Sequence, residues 1–337
     1  MDNHSIDSTR HISTQIYRLA AIAGIPIFIF GLFINVAIFY LLSYERYFRS
    51  TTYKLIRISF VSDIISTITS LAGYILIVDR NLNYRGGTIM CQLVLYFLFA
   101  SFTVSMMNLC LVGIDRYFNI VKPLSLFYRI YKKHILVLSE IIIWLIAIAV
   151  NIPVFIFVGV NRNDTLLCDI PNITPSVSLY IIVKTFIIFI IPTFVILIIY
   201  GKIISFQKSY IRPGKVLHDR AIQGQLKKKR FINMLIWISV SYIALGWPYF
   251  ANIIGMAITR QSTFMIRQKS IVNFLLSFFT VIITTSIVIL NPLLYLKFDL
   301  KVRKRFFTLF RRMLPCQDGD RRSSVTQITV TASVGNI

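Results

Sequence analysis

Asp115, Arg116 and Tyr117 lie side by side at the end of a long apolar stretch of this sequence. An arginine can pair with an adjacent carboxylate while idle and donate to backbone carbonyls of a second helix once released. This chemistry is electrostatic switching rather than bond making. Asp63 stands inside another apolar stretch, where an ionisable group is costly and marks function. It is the only carboxylate that we expect near the middle of such a stretch.

A second polar group, Asn291-Pro-Leu-Leu-Tyr295, ends the last apolar stretch. Pro292 removes one helical hydrogen bond and predicts a kink. Asn291 would be a buried polar group that needs a partner inside the molecule, and Tyr295 can swing between two packings near Arg116. These residue types predict a conformational switch rather than a catalytic centre.

Metal chemistry has no support in the sequence. The four cysteines and four histidines are scattered, without the close spacings of zinc, iron–sulfur or histidine-rich iron sites. This argues against membrane oxidases, desaturases and metalloproteases, and we predict that the chain is not an enzyme.

The composition indicates a membrane protein with several spans. Of the 337 residues, 56% are apolar and 15% are charged, and the mean hydropathy is +0.72. A soluble domain carries about 25% charged residues and under 50% apolar ones. The net charge of +23 could indicate a nucleic-acid partner, so the distribution of the basic residues must decide.

Seven stretches are long enough to cross a membrane, since each span needs ~20 mostly apolar residues. The first follows a polar segment and is too long for a signal peptide, so we interpret it as a true span. The predicted spans are residues 19–44, 58–78, 86–114, 141–161, 170–201, 231–259 and 270–296.

The loop charges predict an extracellular N-terminus. With that orientation, 27 basic residues face the cytoplasm and 8 face outside, as the positive-inside rule requires. Most of the net positive charge then lies on the cytoplasmic surface, next to anionic lipid. No nucleic-acid partner is therefore expected. Three glycosylation sequons, at Asn3, Asn163 and Asn172, all fall on the predicted outer side.

On these motifs, in this order, the chain resembles the rhodopsin-like (class A) G-protein-coupled receptors over residues 18–312. Further matches are Pro123 after the third span, Trp144 and Pro153 in the fourth, Pro192 and Tyr200 in the fifth, and Pro248 in the sixth. The resemblance implies an all-α membrane protein, a seven-transmembrane helix bundle with a short amphipathic eighth helix. The expected divisions are an extracellular N-terminus (1–17), the receptor domain (18–297), the membrane-surface helix (298–313) and a disordered cytoplasmic tail (314–337).

The resemblance also implies roles for single residues. Those for G-protein coupling and activation are Asp115, Arg116, Tyr117, Tyr200, Asn291, Pro292 and Tyr295. A polar cluster of Asp63, Asn35, Ser105 and Asn291 is expected to hold an allosteric sodium ion, with Asp63 and Ser105 as its ligands, or to stay a hydrogen-bond network with a protonated Asp63. No other cofactor is expected. A disulfide is expected between Cys91 and Cys168, and Cys316 after the eighth helix is a palmitoylation candidate.

Two departures from the family pattern affect activation. The family reads Cys-Trp-x-Pro in the sixth helix, whereas this chain has Gly246-Trp247-Pro248. One residue is ~100° around a helix, so Trp247 cannot point where the family's tryptophan does unless the helix is rewound. Lys228 replaces the acidic residue that holds the third-helix arginine. We therefore predict that Asp115 is the main restraint on Arg116, with raised basal signalling.

The ligand is predicted by exclusion and by charge. Leu98 stands where amine receptors carry an aspartate, and Thr285 stands where opsins carry the retinal lysine. Lys184 in the upper bundle could receive a carboxylate or a carbonyl, or could be a lysine that reaches the membrane surface. With Trp247 these residues are the candidate ligand contacts. The outer loops carry a net +3, and our prediction is a neuropeptide ligand.

The sequence as a whole predicts a multi-pass plasma-membrane receptor for an extracellular ligand. Its partners would be the lipid bilayer, a heterotrimeric G protein and, through the Ser/Thr-rich tail, receptor kinases and arrestin. Two alternatives stay open. One is a non-signalling seven-helix decoy or scaffold receptor, and the other is a channel or transporter.

Overall fold

A computed structural model describes residues 3–79, 83–161, 164–209 and 219–313. Within these ranges, the side chains of 3–13, 164–166, 209, 219–228 and 312–313 are outside the description. The chain is a bundle of long helices with one short hairpin.

Twelve α-helices and two strands follow one another along the described part of the chain. The first four long helices are α1 (Asn3–Tyr44), α2 (Thr51–Asp79), α3 (Tyr84–Ile120) and α4 (Leu126–Asn151). Then come the short α5 (Val154–Phe157) and the strands β1 (Gly159–Asn161) and β2 (Asp164–Asp169). The second half contains α6 (Pro175–Thr185), α7 (Ile191–Ser209), α8 (Asp219–Thr259), α9 (Thr263–Lys269), α10 (Ile271–Thr285), α11 (Ile287–Phe298) and α12 (Leu300–Met313).

Seven segments of the described chain are long and apolar enough to cross a membrane, which confirms the predicted span count. On the side predicted to be cytoplasmic, six of the seven helices extend beyond the predicted spans. The fourth, for example, covers Leu126–Phe157 rather than 141–161, because its cytoplasmic turns carry charged residues and still stay helical. Glu140 therefore lies inside a span and is buried, so the expectation that Asp63 is the only such carboxylate is wrong.

Side-chain caps and irregular turns set where the helices begin and bend. Asn83 and Thr174 accept hydrogen bonds from backbone N–H groups in the first turns of α3 and α6, which satisfies donors that a helix leaves unpaired. A π-helical segment, Phe186–Ile190, joins α6 to α7 within the fifth span. The seventh span is interrupted at Ser286, between α10 and α11.

The segment after the fourth span forms an antiparallel hairpin in which Val160 pairs with Cys168. The all-α prediction did not include it. A disulfide joins Cys168 to Cys91 in the outer turns of α3, so the predicted pairing is confirmed. The hairpin is thereby fixed over the outer end of the bundle.

The helices pack around one large core that continues into α12. Val302 and Phe306 of α12 are buried in that core, while Phe307 is 54% exposed on its other face. This two-sided pattern is typical of a helix on a membrane surface. It confirms the predicted short C-terminal helix, close to the expected limits of 298–313.

Candidate functional site

The carboxylate of Asp115 is fully buried at the cytoplasmic end of α3 and has four partners. Lys132 Nζ lies 2.6 Å from Oδ1, and the Tyr128 hydroxyl donates to the same oxygen at 2.9 Å. Thr52 donates to Oδ2 at 3.2 Å, and Arg116 Nη2 lies 3.4 Å from that oxygen. The predicted Asp115–Arg116 pair is present. Lys132, however, is the closer cation, and no motif in the sequence pointed to it.

Arg116 also contacts the sixth span. Its guanidinium carbon lies 5.1 Å from the centroid of the Phe231 ring in α8, within cation–π range. The Tyr53 ring of α2 meets the same phenylalanine edge to face, with centroids 5.9 Å apart. Arg116 thus has an aromatic contact in the sixth span, three residues after Lys228, which stands where the family has an acidic residue. The Lys228 side chain lies outside the described residues.

Tyr117 and Tyr200 flank this region from the third and fifth spans. Lys202 Nζ lies 6.0 Å from the Tyr117 ring. Tyr200 is buried, and its ring packs against Gly113, where an added Cβ would lie 3.8 Å from it. The predicted coupling residues of the third and fifth spans therefore lie close together.

The polar cluster in the middle of the bundle centres on Asp63, which is buried. Asn291 donates to its Oδ2 at 3.0 Å, and the Ser105 and Tyr242 hydroxyls each donate to Oδ1 at 3.2 Å. Asn291 also donates to the Tyr242 hydroxyl at 2.9 Å. Tyr242, in the sixth span, was missed because a single tyrosine in an apolar helix has no motif around it. The cluster joins the second, third, sixth and seventh spans.

Asn35 does not hydrogen-bond to Asp63. Its side-chain amide donates to the backbone carbonyls of Gly31 and Val288, at 2.9 and 2.8 Å. It holds the first span to the seventh instead. The predicted four-residue cluster is corrected to Asp63, Ser105 and Asn291 with Tyr242, and Asn35 lies beside it.

The proline motif of the seventh span also lies in the core. Pro292 and Tyr295 are buried in α11. The Tyr295 ring is tilted against Phe60 of the second span, with centroids 5.0 Å apart. In this conformation the tyrosine packs on the second span rather than on Arg116.

A cavity of about 240 Å³ opens between the outer halves of the spans. Leu98, Lys184 and Thr285, which the sequence analysis named as candidate ligand contacts, line it. Trp247 does not line it, so that prediction is corrected. The tryptophan is 57% exposed on the outside of the bundle, because the sixth helix is not rewound.

Gly246 faces inward at the place of the family's tryptophan. A Cβ added there would lie 2.9 Å from the Phe189 ring, closer than such contacts allow. Phe189 stacks on Phe250 with centroids 4.4 Å apart, and Phe250 lies 5.2 Å from Phe102. These three phenylalanines pack below the cavity, where Phe102 and Phe250 also line a second cavity of about 60 Å³. The glycine makes room for Phe189.

Asp169, next to the disulfide, ties the hairpin to the outer loop of the sixth and seventh spans. Its carboxylate accepts from the backbone N–H of Thr263 at 2.8 Å and of Phe264 at 2.9 Å. It also accepts from Ile170 N–H at 2.8 Å. The carboxylate thus accepts three backbone hydrogen bonds, and it ties the hairpin to the first turn of α9 at the edge of the cavity.

Most of the predicted modification sites lie outside the residues that the structure describes. Asn172 is exposed on the outer side, where a glycan could attach. Asn163, Cys316 and the tail 314–337 lie outside the described residues, as does the Asn3 side chain.

Comparison with known proteins gives one family. The model of the family described as the seven-transmembrane receptors of the rhodopsin family matches residues 34–295. Similar curated proteins include a purinoceptor of Gallus gallus, 30% identical over 124 residues, which are 35% of this chain and 34% of that protein. G-protein coupled receptor 84 of Bos taurus is 30% identical over 44% of this chain and 37% of its own length.

A longer match is to the probable G-protein coupled receptor 19 of Mus musculus, 22% identical over 66% of this chain and 52% of that protein. The matches therefore span from about a third to about half of the length of these relatives.

Proposed function

Because this chain belongs to the rhodopsin family of seven-transmembrane receptors, we propose that it binds an extracellular ligand and activates a heterotrimeric G protein. The family is one of receptors, in agreement with the prediction that the chain is not an enzyme. The ligand would occupy the cavity at the outer end of the spans, and the G protein would bind at the cytoplasmic end, around Arg116.

One observation carries this proposal: two separate sites lie at opposite ends of the bundle, with buried contacts between them. Phe250 lines the outer cavity, and its neighbour Phe102 lies 5.8 Å from Tyr242. Tyr242 contacts Asp63 in the polar cluster, as described above. A ligand that binds one of two packings of these residues more tightly would shift the population of the whole bundle.

The cytoplasmic end is suited to a partner once α8 moves outward. Arg116 would lose the Phe231 contact and present its guanidinium donors to the partner's backbone carbonyls. Lys229 and Arg230 are the first residues of α8 whose side chains are described, and both are exposed. They add positive charge to the same face.

For the ligand we propose a peptide. The outer loops carry a net positive charge, which attracts acidic or carbonyl-rich groups. Lys184 offers such a group a buried cation inside the cavity.

We further propose a sodium ion at the polar cluster. Sodium prefers oxygen donors, and the residues present fit that preference. Asp63 supplies a carboxylate and Ser105 a hydroxyl, and the buried Oδ1 atom of Asn291 has no hydrogen-bond partner among the described residues. The ion would stabilise this packing of the seventh span against the second.

The place of action that we propose is the plasma membrane, with the N-terminus outside. Receptor kinases and arrestin would act on the Ser/Thr-rich tail, and a palmitoyl group on Cys316 would add a membrane anchor to α12.

The test is G-protein activation in cells that express wild type or Arg116→Ala at equal surface density, against a library of neuropeptides and small acids. A ligand response that Arg116→Ala abolishes would support the receptor proposal. Arg129→Ala, at an exposed arginine of α4, is the matched control and should respond like wild type.

Other outcomes favour the alternatives. Silence across the library, with equal basal activity in wild type and Arg116→Ala, would favour a decoy receptor. Ion flux without any G-protein response would favour a channel or transporter.

A further inference from the structure

We infer that the outer cavity is a binding site for a single carboxylate carried on a small apolar body, with Lys184 as its charge partner. This inference deepens the proposed function by naming the chemical class of the ligand. It rests on that function for signalling but not for binding.

Lys184 is a buried cation without an anionic partner. The residue is 7% exposed and lines the cavity. Its Nζ lies 3.5 Å from the centroid of the Phe99 ring and 5.7 Å from that of Tyr180. No carboxylate forms an ion pair with it in the part of the chain that the structure describes. Aromatic faces compensate part of the cost of burying an ammonium group, but an anion would compensate far more.

The one acid at the cavity wall is not available to this lysine. Among the described lining residues, only Asp169 and Lys184 carry charge. The Asp169 carboxylate accepts three backbone N–H bonds, two of them from the first turn of α9. The cavity therefore has one uncompensated positive charge, and a ligand with one negative charge would neutralise it.

The rest of the wall favours an apolar body. Thr185 and Thr285 donate their hydroxyls to carbonyls of their own helices, and Tyr180 donates to the carbonyl of Val150. These hydroxyls are thus engaged within the protein. Most of the remaining lining side chains are apolar, among them Leu95, Leu98 and Val281. A polar ligand body would lose its hydration here and find few groups to replace it; the buried Ser70 hydroxyl, which has no partner among the described residues, is one of them.

The size of the cavity limits the length of that body. About 240 Å³ is less than the roughly 300–1,000 Å³ of pockets for drug-sized ligands. An aliphatic chain of medium length fits this volume, as does the terminal residue or two of an apolar peptide.

Two sources supply this chemistry. One is a peptide that inserts an apolar C-terminal end with a free carboxylate, and the other is a medium-chain fatty acid. The shared element is the carboxylate on an apolar body, and the experiment separates the sources by its probes.

The experiment measures thermal unfolding of the purified full chain in lipid nanodiscs, where a bound ligand raises the unfolding temperature. One arm compares octanoate and decanoate with octanol and decanol. The other compares N-acetyl-Leu-Leu as the free acid with the same peptide as the amide. Each acid should stabilise more than its neutral counterpart, and the arm with the larger effect identifies the source.

Variants assign the effect to the lysine. Lys184→Met keeps an unbranched side chain, one atom shorter, without the charge, so the unliganded protein should be at least as stable as wild type. Its apparent Kd for the acid should rise at least about tenfold, since a charge-assisted bond is lost. Lys184→Arg should retain binding. Lys269→Gln removes an exposed outer charge and should behave as wild type.

The inference is overturned if no acid stabilises wild type more than its neutral counterpart. It is equally overturned if Lys184→Met binds the acids as tightly as wild type. Acids that bind through Lys184 without G-protein activation would contradict the proposed function and leave this inference standing.

Discussion

Lys132 lies closer to the Asp115 carboxylate than Arg116 does, at 2.6 Å against 3.4 Å. The two cations therefore compete for one buried anion at the cytoplasmic end of the bundle. Because Lys132 belongs to the fourth helix and Arg116 to the third, the strength of the arginine's restraint depends on how those helices pack. The sequence predicted Asp115 as the main restraint on Arg116, but it did not indicate that Lys132 shares that carboxylate.

Lys132→Gln is expected to lower signalling. Without the lysine, Arg116 is the only cation left on Asp115 among the described residues, and the pair should tighten. Basal nucleotide exchange on the G protein should then fall about two- to fivefold at equal surface density, since partly exposed ion pairs contribute at most about 1 kcal/mol.

The control for this prediction is Lys133→Gln, which removes the same charge from the neighbouring exposed position and should leave basal exchange unchanged. A rise in basal exchange in Lys132→Gln would show that the lysine restrains the inactive state rather than relieving it.

Phe231→Leu is expected to act in the opposite direction. Leucine keeps an apolar side chain in place but removes the ring that Arg116 faces at 5.1 Å. A cation–π contact contributes about 0.5–2 kcal/mol, so basal exchange should rise roughly two- to thirtyfold. Phe231→Trp keeps a π-face and should stay near wild type. Equal activity of the leucine and tryptophan variants would refute a role for the ring.

Much of this organisation could be predicted from local sequence. The features that could not be predicted have a common physical reason. The number of spans follows from apolar length, which single chain segments display, and the disulfide pair was implied by the resemblance to the receptor family. The partners Lys132, Tyr242 and Phe231 come from other helices, and their contacts depend on how the bundle packs. Gly246 shows the same limit. The sequence indicated that Trp247 was displaced, but only the structure shows that three phenylalanines pack below the cavity.

Asp63→Asn is expected to abolish a response to sodium. Asparagine keeps the size of the side chain but has no negative charge to balance the ion. Sodium should raise the unfolding temperature of purified wild type relative to choline at the same ionic strength, and should not raise that of the variant. Glu140→Gln, which neutralises the other buried intramembrane carboxylate described above, should keep the sodium response. Absence of any sodium effect in wild type would count against the ion.

Asp169→Ala is expected to loosen the contact between the hairpin and α9 without affecting the cytoplasmic face. The change leaves the backbone N–H groups of Thr263 and Phe264 without their acceptor. Each buried donor left unpaired costs about 1–3 kcal/mol, although water can reach part of this loop and reduce that cost. Hydrogen–deuterium exchange at residues 262–266 should therefore speed up, while exchange around Arg116 should stay as in wild type.

Asp169→Glu tests whether geometry matters as well as charge. The longer side chain keeps the anion but moves its oxygens away from the two donors, so we expect intermediate exchange at the same residues. If Asp169→Ala exchanged like wild type there, the aspartate would not be what holds the hairpin to the loop between the sixth and seventh spans.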